Sequence, residues 1–133
     1  LLPRDVDGCP LRHAMEVRDP AAVDADFIEL ARRHQVATVF TDSTDYPSFA
    51  DLTADFVYAR LMRSQPIDTG YPSQELAQWA ERARAWSRGE DIAELPHVGE
   101  PAPVLPRRDV FVYFISSAKE RNPAAAMELI RRL

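Results

Sequence analysis

A single cysteine, Cys9, leaves the chain without a disulfide framework or a thiolate cluster for a structural metal. A reducing, cytoplasmic setting is the expectation. Glycine is scarce too, at four residues, and none of them stands in a phosphate-cradling loop or a nucleophile elbow, so nucleotide-fold and hydrolase-triad readings lack their starting motif. The three histidines, His13, His34 and His97, share no spacing that would bring them to one ion. No metal site is expected, and the sequence identifies no cofactor. Nor does any apolar run approach the roughly 18 residues that cross a bilayer, and no charged-then-apolar leader opens the chain. Positive charge is also in deficit: 16 Lys and Arg against 21 Asp and Glu give a net charge of −5, which speaks against general attraction to nucleic acid or anionic membranes.

What is present is a chain of 133 residues with 46% apolar and 28% charged side chains, the proportions of one globular domain. Residues 12–18 alternate, with His13, Met15 and Val17 on one face and Arg12, Ala14, Glu16 and Arg18 on the other, which predicts a strand. Asp19-Pro20 ends it. Val23, Phe27, Leu30, Ala31 and His34 then recur at helical spacing over 21–34. Residues 36–41 form a short β-branched, apolar run, as a strand buried on both faces reads. Residues 43–54 are rich in Asp, Ser and Thr and read as a loop on the functional face.

Residues 55–62 predict a third strand, with Phe56, Tyr58, Arg60 and Met62 in one parity and the purely apolar Val57, Ala59 and Leu61 facing a helix. That helix is predicted over 73–88, capped by Ser73, with Leu76, Trp79, Ala80, Ala83 and Trp86 in one stripe. Residues 89–108 hold Pro96, Pro101, Pro103 and Pro106 and no period. They read as an insertion, longer than the roughly 2–6 residues usual between a helix and a strand. A last strand over 109–115 leads to a helix opened by Asn122-Pro123 that should bury Ala126, Leu129, Ile130 and Leu133.

Strands separated by long helices favour a parallel sheet with right-handed crossovers. A (β/α)₈ barrel takes roughly 250 residues, and four strands in about half that length predict half a barrel. The fold expected is thus α/β, a TIM-like barrel to which residues 1–133 contribute about the last four strands and their helices. Four more strands upstream of Leu1, or a second copy, are expected to complete it, since a half-barrel would expose two unpaired edge strands and an uncovered lumen face.

Leu11-Arg12-His13-Ala14-Met15-Glu16-Val17-Arg18, Thr53-Ala54-Asp55-Phe56-Val57-Tyr58-Ala59-Arg60-Leu61, the stretch Trp79 to Trp86 and Asp109-Val110-Phe111-Val112-Tyr113-Phe114 occur in that order. Together they resemble the carboxyl-terminal half of the YecE-like family, domain of unknown function 72. The resemblance spans nearly the whole chain and implies a TIM-like barrel, with no activity attached to the family name. The chain departs from the family pattern at Met62-Arg63, where a histidine and a glycine are common, and at Ser116-Ser117, where an asparagine or aspartate is common.

The charged residues at the strand ends are where an α/β protein places its chemistry. Glu16, Asp42 and Arg60 are the candidate catalytic residues: Arg60 to hold an anion, Glu16 to move a proton, Asp42 at the rim. Arg18, Tyr58, Arg63, Ser116, Ser117 and Lys119 are the candidate ligand contacts. The cations Arg60, Arg63, Lys119 and Arg121 flank two strand exits beside the helix start at Asn122, where barrels often bind phosphate. Against each stands a plainer reading: a Glu16–Arg18 ion pair closing the core, turn-capping by Asp42 and Asp45, and solvated charge at Arg63 and Arg121. The partner expected is a small anionic ligand, bound by an enzyme acting on a phosphorylated substrate or by a non-catalytic barrel.

Overall fold

The computed structural model describes residues 2–116 and 118–133. Four strands, β3 (His13–Met15), β4 (Val36–Thr41), β5 (Phe56–Leu61) and β6 (Asp109–Phe114), form one sheet in sequence order, every neighbouring pair parallel. Before them a small antiparallel hairpin, β1 (Asp5–Val6) and β2 (Cys9–Pro10), occupies what reads from sequence as a lead-in loop. Its turn needs positive φ at Asp7 (50°) and Gly8 (77°), an Asp-Gly pair suited to such a hairpin. Three helices follow the parallel pattern: α1 (Ala25–Arg33), α2 (Ser73–Ser87) and α3 (Asn122–Arg132). Among the described residues no helix is long and apolar enough to cross a membrane.

The helix-facing parity of β5 is as the sequence predicts. Val57, Ala59 and Leu61 are buried against Leu76, Trp79, Ala80 and Trp86 of α2, with Phe40 of β4 between the two tryptophans. The first strand is shorter than the alternating run 12–18, and α1 begins four residues later than the period suggests. Asp24 causes the delay: its side chain accepts from the Phe27 N–H and caps the helix, after a 3₁₀ turn over Pro20–Ala22.

Two caps read from sequence are otherwise employed. Ser73 is the first residue of α2, and its hydroxyl accepts from the Arg132 guanidinium. Asn122 lies inside α3, its Oδ1 accepting from the hydroxyls of Ser64 and Ser116. The buried face of α3 is also rotated from the predicted one. Ala125 and Leu129 are buried, whereas Ile130 and Leu133 stand out beyond β6, where no described element lies beside them.

The connection from β4 to β5 is the main departure. A parallel pair needs a crossover, and here an irregular segment makes it, with only its start on the functional face. Phe49, Ala50, Asp51, Leu52, Thr53 and Ala54 are all buried. Buried irregular backbone is stable only when its polar groups are paired. Thr38 donates to the Asp51 carbonyl, Thr53 donates to the Val36 carbonyl and accepts from the Thr38 N–H, and Arg32 donates to the Leu52 carbonyl.

The proline-rich insertion 89–108 is fixed in the same way. Ile92, Leu95 and Ala102 enter the main core, Asp51 accepts from the Val98 and Gly99 N–H groups, and the nearly buried Arg108 donates to the carbonyls of Ala54, Gly89 and Pro103. Gly89 (φ 80°) is required there, because a Cβ would stand 1.8 Å from the Leu105 carbonyl oxygen. These contacts set the insertion at the amino ends of the strands, opposite the exits.

A candidate anion site at the strand exits

The register aligns the site. Thr41 lies beside Arg60 and Arg60 beside Tyr113, with Val39, Tyr58 and Phe111 in the row below. All share the face turned away from the helices, because side chains alternate along a strand. Glu16 and Arg18 lie one and three residues beyond the end of β3 at Met15, and Glu16 reaches Arg60 from there.

Opposite ends of this face differ in character. At the amino end the Arg12 guanidinium lies 4.9 Å from the Phe56 ring centroid and 5.3 Å from that of Phe111, and it donates to Asp109 at 2.7 Å. That contact joins the first strand to the fourth. Strands are about 4.8 Å apart, so a flat sheet would hold those two strands roughly 14 Å apart, and the contact fits a sheet that curls toward this face. The cationic and aromatic groups fill the concave amino end.

At the carboxyl end Glu16 holds two arginines. One oxygen accepts from Arg60, and the other accepts from Arg18 Nε at 3.1 Å and Nη2 at 3.0 Å. Burial works against the charged carboxylate here, but the hydrogen bonds from Arg60 and Arg18 outweigh it and lower its pKa. Glu16 is therefore an anion at neutral pH, with no proton to give and little tendency to take one. Its side chain and that of Arg60 are 22% and 19% exposed, so the cluster is lined by protein yet reachable. Two guanidinium charges on one carboxylate leave a net positive site. Each guanidinium has five donors, of which Glu16 takes one from Arg60 and two from Arg18.

Asp42 stands at the exit of β4 but engages a different group. Its Oδ1 accepts from the Met62 N–H at 2.6 Å and its Oδ2 from the Tyr71 hydroxyl at 2.7 Å, while that hydroxyl accepts from the Arg63 N–H. Burial raises the Asp42 pKa and, more strongly, that of Tyr71. Both carboxylate oxygens thus tie the β5 exit loop to β4, and the hydrogen bonds of Asp42 do not include Glu16 or Arg60.

Of the other sequence candidates, Tyr58 stacks on Tyr113, Arg18 lies over the Tyr46 ring, and Ser116 donates to Asn122. Arg63 and Lys119 are exposed side chains on the exit loops, and Ser117 lies outside the described residues. Arg121 faces Asp68 at 3.5 Å. Sequence reasoning missed Tyr46 and Tyr113. The parity of Tyr113 on the last strand carried the signal for it, whereas Tyr46 sits in an irregular loop and gave none. Among the described residues no group of three or more His, Cys, Asp or Glu side chains could hold a metal ion.

No curated protein and no solved structure matches the chain significantly. The family model described as "Protein of unknown function DUF72" matches residues 2–133. With the parallel α/β sheet and its arginine-bearing strand exits in place, a match over nearly the whole length assigns the chain to the DUF72 family.

Proposed function

We propose that this chain is half of a TIM-like barrel whose carboxyl-end face binds a small phosphorylated or otherwise anionic ligand. The observation that carries the reading is the convergence of Arg18 and Arg60 on Glu16, which pre-orders two guanidinium groups beside a strand exit. Glu16 then acts as the positioning residue for both arginines. The barrel reading is supported by the Arg12–Asp109 contact, which fits a sheet curled toward this face, and by the outer sides of β3 and β6, which have no strand partner among the described residues. Four further strands, from an upstream part of the same protein or from a second copy, would cover those edges.

Binding is favoured over catalysis by the chemistry of the two carboxylates. Glu16 has a lowered pKa, and Asp42, although burial raises its pKa, has both oxygens committed to the Met62 N–H and the Tyr71 hydroxyl and none directed at the Glu16–Arg60 pair. Met62 and Ser116, at positions where the family pattern implies polar or acidic groups, point the same way. In the enzymatic alternative Arg60 holds the substrate anion and Glu16 accepts a proton only after ligand binding draws the arginines away.

Thermal-shift measurements with inorganic phosphate and simple phosphate monoesters test the proposal. A ligand at 100 times its Kd stabilises the state it binds by about 2.7 kcal/mol. Arg60→Ala should abolish that shift. Undiminished stabilisation of Arg60→Ala would remove Arg60 from the site.

A further inference from the structure

Two tyrosines border the arginines where an anion alone has no use for them. Tyr113 is the register partner of Arg60 and projects from the same face. Its ring stacks on Tyr58 with centroids 4.9 Å apart and planes 23° from parallel. Tyr58 is half-buried, but Tyr113 remains 43% exposed, so the stack supports its ring and leaves much of it open. Beyond the end of β3 the Arg18 guanidinium lies 4.6 Å from the Tyr46 ring centroid. Both cations of the site thus have an aromatic neighbour.

Resting on the anion-binding reading above, we infer that the ligand carries a flat aromatic or heteroaromatic ring beside its anionic group, and that this ring lies against Tyr113. The anion meets Arg60 and Arg18 while the ring extends the Tyr58–Tyr113 stack. The geometry suits such a ligand because Arg60 and Tyr113 are register partners whose side chains leave the same face of adjacent strands, with backbones about 4.8 Å apart. Offset stacking on a supported tyrosine adds affinity at low entropic cost, since the tyrosine is already held. A tyrosine serving only the sheet would leave ligand preference unchanged when replaced.

The test is calorimetric titration of the intact, full-length protein with phenyl phosphate, glycerol phosphate and inorganic phosphate. Phenyl phosphate should bind roughly tenfold more tightly than glycerol phosphate, the scale of one aromatic stacking contact. Tyr113→Phe should keep the preference and Tyr113→Leu should level it, with thermal melts confirming that both variants fold. If wild type binds phenyl and glycerol phosphate equally, and Arg60→Ala weakens both, the ring inference is overturned and the anion site stands. A preference that survives Tyr113→Leu overturns the assignment of the ring to Tyr113. If wild type binds none of the three, the anion reading fails and this inference with it.

Discussion

His97 has an acceptor against each ring nitrogen. Nδ1 lies 2.6 Å from the Leu95 carbonyl oxygen and Nε2 lies 2.9 Å from Asp91 Oδ1. Neither acceptor can donate, so both contacts are hydrogen bonds only when the ring is the imidazolium. Burial alone would depress the His97 pKa, but the Asp91 hydrogen bond and charge, with Asp51 adding to them, raise it. For Asp91, burial is likewise outweighed, by His97 and by the N–H groups of Ala102 and Ile92, and its pKa is lowered, with Arg108 the nearby cation. The raised histidine contributes fully below its ordinary value near 6.5 and loses its contribution as pH climbs through the higher folded value. The depressed aspartate contributes above the ordinary carboxylate range and fails only as pH falls through its lower folded value. Denaturant midpoints should therefore drop by the equivalent of about 1 kcal/mol on passing from mildly acidic to alkaline pH. His97→Gln should flatten that dependence, and a wild-type profile no steeper than the variant's would exclude the clasp.

Legibility at this scale depended on local spacing. Glu16, Arg18 and Arg60 were visible as polar residues in the inward parity of apolar strands, and they do meet. The employment of Asp42 was not visible, because its partners Met62 and Tyr71 lie 20 and 29 residues away and one of them is a backbone amide. The His97 clasp was equally hidden, since its partners come from a segment without period.

Among the elements, those with a strong period were read well: β4 at 36–41 as it stands, β5 and β6 to within a residue or two at each end, and the stripe of α2 residue for residue. Segments stabilised by side chain to backbone bonds were not, and the crossover before β5 looked like a loop although its second half is core. Polar composition misled there because Thr38, Asp51 and Thr53 are polar and buried, each spent on backbone groups. Arg108 does the same for the insertion. Replacing it by methionine keeps much of the packing but takes the arginine donor from the carbonyls of Ala54, Gly89 and Pro103, of which Gly89 keeps the Leu105 N–H. Such a loss should lower unfolding stability by about 3 kcal/mol, measurable in urea. A loss below about 0.5 kcal/mol would show that solvent replaces the arginine and that the insertion is only loosely held. For the same reason deletion of 89–108, which reads from sequence as an insertion, should remove core, because Ile92, Leu95 and Ala102 belong to it.

For the whole molecule, the sheet ends on both sides in strands with one row of backbone groups unpaired among the described residues. Apolar surface accompanies each edge. Beside β3, Met15, Phe27, Leu30 and Val36 line one groove; beside β6, Val110, Val112, Phe114, Ile130 and Leu133 line another of about 550 Å³. Ile130 and Leu133 are 68% and 60% exposed, and Met127 nearby is 71% exposed. Edge strands of stable monomers are normally blunted by charge, proline or a covering element, and contiguous apolar patches mark surfaces that another element covers. Two open edges follow already from reading four strands as half a barrel; strand alternation does not show the apolar surface beside them, because it fixes which face is apolar and not which residues flank the last strand. Residues 1–133 expressed alone should therefore self-associate, with a sedimentation coefficient that rises with concentration. Ile130→Lys places a charge in the groove without touching the buried Ala125–Leu129 face of α3, so it should shift that equilibrium toward monomer while leaving the far-ultraviolet circular dichroism unchanged. A monodisperse wild-type monomer with one cooperative melt would show instead that this curled four-stranded sheet is stable with open edges, and the barrel proposal would have to be withdrawn.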